Sequence, residues 1–190
     1  MPIKMQKYLY EIIYYTDQYL RQKIGMVKNS FIKRLLWYCI KIFDFFNQKI
    51  VFWIIDRYGW PLVRDYGKKA NITAYYVIMH SNETGLKKYY PILKQAAKNE
   101  HENCHYFCHV LDRLLMYQKK KQFFGCDARG LKDNNGMLHY YVYPISHFSN
   151  VNNRRIKVGM NSIEEHAAEN NYILHYSEGI CKALIKYPNK

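Results

Sequence analysis

The sequence predicts a mainly α-helical protein: a single helical domain with one small β-hairpin at about residues 121–144. Three observations carry this. Apolar residues recur with helical spacing through most of the first 120 positions, connections between the periodic stretches are short, and β-prone runs occur only around one Asn-Gly turn. At 190 residues with 49% hydrophobic content, the chain is long enough for one domain with a proper core.

The elements follow in order. Leu9, Ile12, Ile13, Tyr19 and Leu20 mark a helix over roughly 4–24, which Gly25 is expected to stop. Positions 32, 35, 36, 39, 42, 43, 46, 50, 53 and 54 obey the i, i+3, i+4, i+7 rule, predicting a long helix over 31–57 that ends before Gly59 and Pro61. Its apolar part, LLWYCIKIFDFFNQKIVFWII, is interrupted by Lys41, Asp44, Asn47, Gln48 and Lys49. It is too polar for a bilayer span and reads as a buried helix. A helix is expected over 66–81 and, after Asn82–Gly85, another through YYPILKQAAKNE. The next covers 101–119. Two β-prone segments then flank Asp133-Asn134-Asn135-Gly136, the strongest short hairpin signal a sequence offers. Helices near 150–158, 161–171 and 176–186 complete the chain.

The charge is +14, and residues 1–50 hold nine Lys or Arg against three acidic side chains. Such a field suits an anionic substrate, an acidic protein partner or nucleic acid, although no nucleic-acid motif is present. Residues 1–20 lack a continuous apolar core and a small-residue cleavage site, so no signal peptide is read and a cytoplasmic location is expected. The five cysteines show no CxxC spacing and are expected to be reduced thiols.

The stretch HENCHYFCHVLDR at 101–113 is the densest in metal-ligand side chains. On a helical wheel His101, His105, Cys108 and Asp112 fall within roughly 60°, with His109 beside them. A metal site needs three or four ligands converging from different elements, and one helix usually supplies two. No HExxH, paired CxxC or ExxH repeat completes the set. The expectation is therefore no metal and no cofactor, with His105, Cys108 and His109 as the residues to test should one be found.

A second series of motifs points elsewhere. DQYLR (17–21), DFFN (44–47), IDRYGWP (55–61), MHSN (79–82), LDR (111–113), QFFGC (122–126) and NNRRIKVGM (152–160) occur in one order. This series resembles an uncharacterised bacterial domain-of-unknown-function family with the patterns DQxxR, DxxN, DxxGWP, QH(A/S)D, DR, QxYGT and RRxxxGL. Relative to those patterns Met79 stands for Gln, Asn82 for Asp, Phe124 for Tyr and Cys126 for Thr. The resemblance implies a site built from His80, Asp112, Arg113, Gln122 and Arg155, with Asp17, Gln18, Arg21 and Asp56 on earlier helices.

The residue types give these positions roles. His80, at the end of a largely apolar helix, suits general acid–base work with Asp112 as its orienting carboxylate. Arg113, Gln122, Arg155, Arg21 and Asp56 are the candidate substrate-binding residues, the arginines because a guanidinium fork holds an anion well. The bland alternative is an ion-pair network joining helices. Ser81 and Cys126 are candidate nucleophiles lacking an elbow or triad context. The expected function is a hydrolase or transferase acting on an anionic substrate. The alternatives are a small basic antibacterial toxin or secretion-system effector neutralised by an acidic immunity protein, and a non-catalytic interaction module using the basic helical surface.

Overall fold

The structure is a computed structural model that describes residues 1–186. It is mainly α-helical with one two-stranded antiparallel sheet, as the periodicity predicts. Contacts group the chain into two compact units, Met1–Ala96 and Ala97–Lys190.

The first unit is built on α1 (Ile3–Met26), α2 (Ser30–Tyr58), the single turn α3 (Val63–Tyr66), α4 (Lys68–Met79) and α5 (Glu83–Asn99), whose last residues pass its boundary. α1 packs on both α2 and α4. Gly25 does not end α1, because one glycine costs a helix only about 1 kcal/mol against alanine. Asn29 caps α2 by accepting from the N–H groups of Phe31 and Ile32, and Gly59 (φ 81°) ends it. The helix expected over 66–81 is split at Gly67 (φ 85°). Asn82, read as punctuation, accepts from Gly85 N–H at the first turn of α5. Tyr10 and Ile13 of α1, Val51, Ile54 and Ile55 of α2, Ala74, Val77 and Ile78 of α4, and Leu86, Tyr89 and Leu93 of α5 are buried.

α2 is not the buried helix expected. Only Ile40, Asn47, Val51, Ile54 and Ile55 are buried along it, while its outer side carries exposed aromatic and aliphatic side chains.

The second unit contains a 3₁₀ turn (His101–Asn103) leading into α6 (Cys104–Tyr117), the hairpin strands β1 (Ala128–Lys132) and β2 (Leu138–Val142), then α7 (Val151–Ile156), α8 (Ile163–Glu169) and α9 (Glu178–Lys186). In the hairpin Ala128 pairs with Val142 and Lys132 with Leu138. At its turn Asp133 accepts from Asn135 and Met137 N–H, each at 2.9 Å, and Gly136 takes φ 80°. The paired strands are shorter than 121–144 because residues 122–127 leave the ladder and form an anchored loop. Ser162 and Glu165 form a capping box at the start of α8. Small apolar clusters hold this unit together, among them Cys108, Phe124 and Cys126, and a second of Val142, Val151, Ile163 and Ala167.

Candidate functional site

Three helices of the first unit bring four charged or titratable side chains together. Asp17 and Arg21 lie four residues apart on α1, hence on one face; Asp44 comes from α2, and His80 is the residue capping the end of α4. The packing of α1 against both α2 and α4 makes the convergence.

His80 Nδ1 lies 3.0 Å from Asp17 Oδ1. The Asp17 side chain is 2% exposed and that of His80 24%, so the carboxylate is buried while the imidazole reaches the surface. Gln18 donates to the second Asp17 oxygen at 2.7 Å. Arg21 Nη2 is 2.5 Å from Asp44 Oδ1 and 3.6 Å from Asp17 Oδ1. Burial pushes the Asp17 carboxyl up, but the His80 hydrogen bond, the His80 and Arg21 charges and the Gln18 bond outweigh it and hold it below its ordinary value. The Tyr76 ring lies nearly parallel to the imidazole at 11°, with centroids 6.4 Å apart, and Gln48 donates to the His80 carbonyl at 3.3 Å. Ring plane and backbone are thus both fixed.

A carboxylate on Nδ1 selects the tautomer with the proton on that nitrogen and leaves the Nε2 lone pair available. Among the described residues no hydrogen bond reaches Nε2. Arg21 Nε is buried without an acceptor, so the guanidinium retains an unused donor beside the pair. One ligand atom each of Asp17, Asp44 and His80 lie within 4.8 Å of one another, the one such set of metal-ligand side chains among the described residues. The positive charge facing these carboxylates is supplied by Arg21.

The motif residues of the second unit form a different arrangement, centred on the loop from Gln122 to Asp127. Asp112, fully buried, accepts from the backbone N–H groups of Phe123 (2.7 Å), Phe124 (3.1 Å to each oxygen) and Cys126 (3.0 Å). Those four contacts occupy the acceptor directions a carboxylate has. Burial raises its pKa, and the bonds from Cys126, Phe123 and Phe124 only partly offset that. Gln122 donates to the carbonyls of Asp127 and Tyr143 and accepts from Asp127 N–H. Arg155, also fully buried, donates to the Phe124 and Asn161 carbonyls and to Asn161 Oδ1. Arg113 grips Asp127 with two bonds. Gly125 completes the loop: its φ is 73°, and a Cβ there would stand 2.6 Å from Ile145 Cδ1.

The residues singled out in the sequence therefore fall into two groups. His80 and Arg21 meet in the first unit, with Asp17 as the carboxylate on the imidazole; Asp112, given that place in the sequence reading, belongs to the second unit and binds backbone there. Arg113, Gln122 and Arg155 surround the same loop as Asp112. Asp56 joins helices, accepting from Lys88 (2.7 Å) and from the Tyr89 hydroxyl on α5 (3.1 Å). Ser81 is buried and donates to the Ile78 carbonyl, and burial raises the Cys126 thiol well above its ordinary value. On α6, Cys108 is buried against Phe124 and Cys126 with its thiol pushed up, and burial lowers both His105 and His109, the latter to about 4. Asp44 was absent from the sequence-derived set. Its signal was the DFFN motif, read there for order alone.

A mainly α-helical protein with an aspartate-held histidine on one helical unit is the class that fold and site define. The chain belongs to a family of unknown function, DUF6624, whose model matches residues 4–176. No curated protein and no solved structure matches it. Among the described residues no helix is long and apolar enough to cross a membrane.

Proposed function

We propose that the protein is a hydrolase or transferase whose proton-transfer group is His80, held by Asp17. The observation that carries this reading is the buried Asp17 carboxylate 3.0 Å from Nδ1 of a partly exposed imidazole. A base needs a fixed ring, a defined tautomer and an accessible second nitrogen. Asp17, Tyr76 and Gln48 supply the first two, and the exposure of His80 supports the third.

In the reaction Nε2 takes the proton of an attacking hydroxyl or water and returns it to the leaving group, while Asp17 stabilises the imidazolium formed between the two steps. Arg21 faces both Asp44 and Asp17, and its charge helps hold the Asp17 carboxyl below its ordinary value beside the ring. The charge of +14 supports an anionic substrate.

The test is hydrolysis of a panel of chromogenic phosphate, sulfate and carboxylate esters by the purified protein, with His80→Ala and Asp17→Asn variants whose helicity matches the parent. The expected outcome is a turnover that His80→Ala reduces at least ~100-fold, the lower range for losing a general base, and Asp17→Asn reduces less. Activity in His80→Ala equal to the parent contradicts the reading.

A further inference from the structure

The outer face of α2 is unlike a solvated helix surface. At about 100° per residue, Phe31, Leu35, Tyr38, Ile42, Phe45 and Phe46 fall on one arc of about 100°. The buried Ile40, Asn47, Val51 and Ile54 lie on the opposite side. All six outer residues are exposed, Phe31 to 72% and Phe45 to 54%. Past Lys49 the arc continues to the half-exposed Trp53, so it spans 23 residues, with about 33 Å of helix between its ends. α2 therefore has two apolar faces, and only one is covered by its own unit.

The charges along the ridge have one sign. Between Ser30 and Lys49 the helix carries Lys33, Arg34, Lys41 and Lys49 against one acidic residue, Asp44, whose charge is met by Arg21. Among the described residues, Lys33, Arg34 and Lys41 have no acidic partner. On the same wheel Arg34 and Lys41 flank the apolar arc, Lys33 lies on the opposite side, and Lys49 falls within the arc with its ammonium 4.4 Å over the Phe45 ring.

We infer that this face of α2 docks onto an anionic lipid surface, with the helix in the plane of the interface. Phenylalanine and leucine enter the acyl boundary, tryptophan and tyrosine rings sit at headgroup level, and flanking lysine and arginine meet lipid phosphates. Each basic residue near an anionic leaflet strengthens the attraction, and the apolar arc adds the area-dependent part. A second copy of the chain is the competing occupant for an apolar face this size. A two-fold pairing of α2 with itself would bring identical basic rows together, which opposes it.

The experiment is sedimentation of the full-length protein with vesicles of phosphatidylcholine alone and of phosphatidylcholine mixed with phosphatidylglycerol. Parallel samples with brominated lipid read tryptophan quenching. The expected result is binding to the anionic vesicles at least roughly ten-fold stronger than to the neutral ones, with quenching that falls in Trp53→Phe. Phe31→Ser/Phe45→Ser and, separately, Arg34→Gln/Lys41→Gln/Lys49→Gln each weaken binding by a similar factor. These side chains are exposed, and matching helicity and melting confirm that the variants fold. Three results overturn the inference. One is no association with anionic vesicles. Another is binding that Phe31→Ser/Phe45→Ser leaves unchanged, which assigns it to the overall charge of the protein. The third is a concentration-dependent doubling of mass, abolished by those substitutions and unaccompanied by vesicle binding, which gives the face to a second copy.

Discussion

The two units use their polar motif residues in opposite ways. In the second, Asp112, Gln122, Arg113 and Arg155 spend their hydrogen-bonding capacity on one loop: three backbone N–H groups on Asp112, three backbone partners on Gln122, two carbonyls and an amide oxygen on Arg155. In the first, the Asp17–His80 pair satisfies one nitrogen of the ring and leaves the other open, and Arg21 keeps a buried donor unused. A closed network holds a shape, whereas a fixed but incomplete one can act on something else. The same residue types, Asp, His, Arg and Gln, are found in both, so composition alone does not distinguish them.

The largest effect that would break this contrast is in the closed network. Asp112→Ala leaves three backbone donors without their acceptor, at about 1–3 kcal/mol each before relaxation, so a loss of at least ~3 kcal/mol is expected in urea denaturation. His80→Ala is expected to cost only about 1 kcal/mol, the net worth of one hydrogen bond. Equal losses in the two variants would remove the distinction.

A second, smaller effect sharpens it through acidity. Burial depresses His109 to about 4, against about 6.5 for an unfolded histidine. Between those values the unfolded chain binds a proton that the folded chain does not. The stability this represents is therefore full above about 6.5 and is lost as pH falls to about 4, up to ~3 kcal/mol at 1.36 kcal/mol per unit. The difference in unfolding free energy between the parent and His109→Gln, followed from pH 7 to pH 4.5, should shrink accordingly. A difference that stays constant with pH would place His109 in a solvated setting instead.

Much of the fold was legible in the sequence, for reasons visible in particular elements. The 3.6-residue period of α2 and the Asp133–Gly136 turn are local signals, and both elements formed where expected. The splitting at Gly67 and the continuation of α1 through Gly25 were not legible, because a glycine stops a helix only when its neighbours favour a positive φ, and here Gly67 takes one. At the site, His80 and Arg21 were legible as polar residues in ordered motifs. Their partners were not: Asp112 lies within a helix just as Asp17 does, and only the packing of α1 on α4 decides which carboxylate meets the ring. The exposed ridge of α2 was likewise hidden, since spacing shows that a helix has apolar faces but not how many are covered.

The central claim, that Asp17 fixes His80 as the tautomer with an open Nε2, is tested most directly by nitrogen-15 NMR of the His80 ring in the parent and in Asp17→Asn. The account predicts that the ring, when neutral, carries its proton on Nδ1 coupled to Asp17, with that tautomer preference lost in Asp17→Asn. An His80 ring protonated on Nε2 in the parent, unchanged by Asp17→Asn, would contradict it.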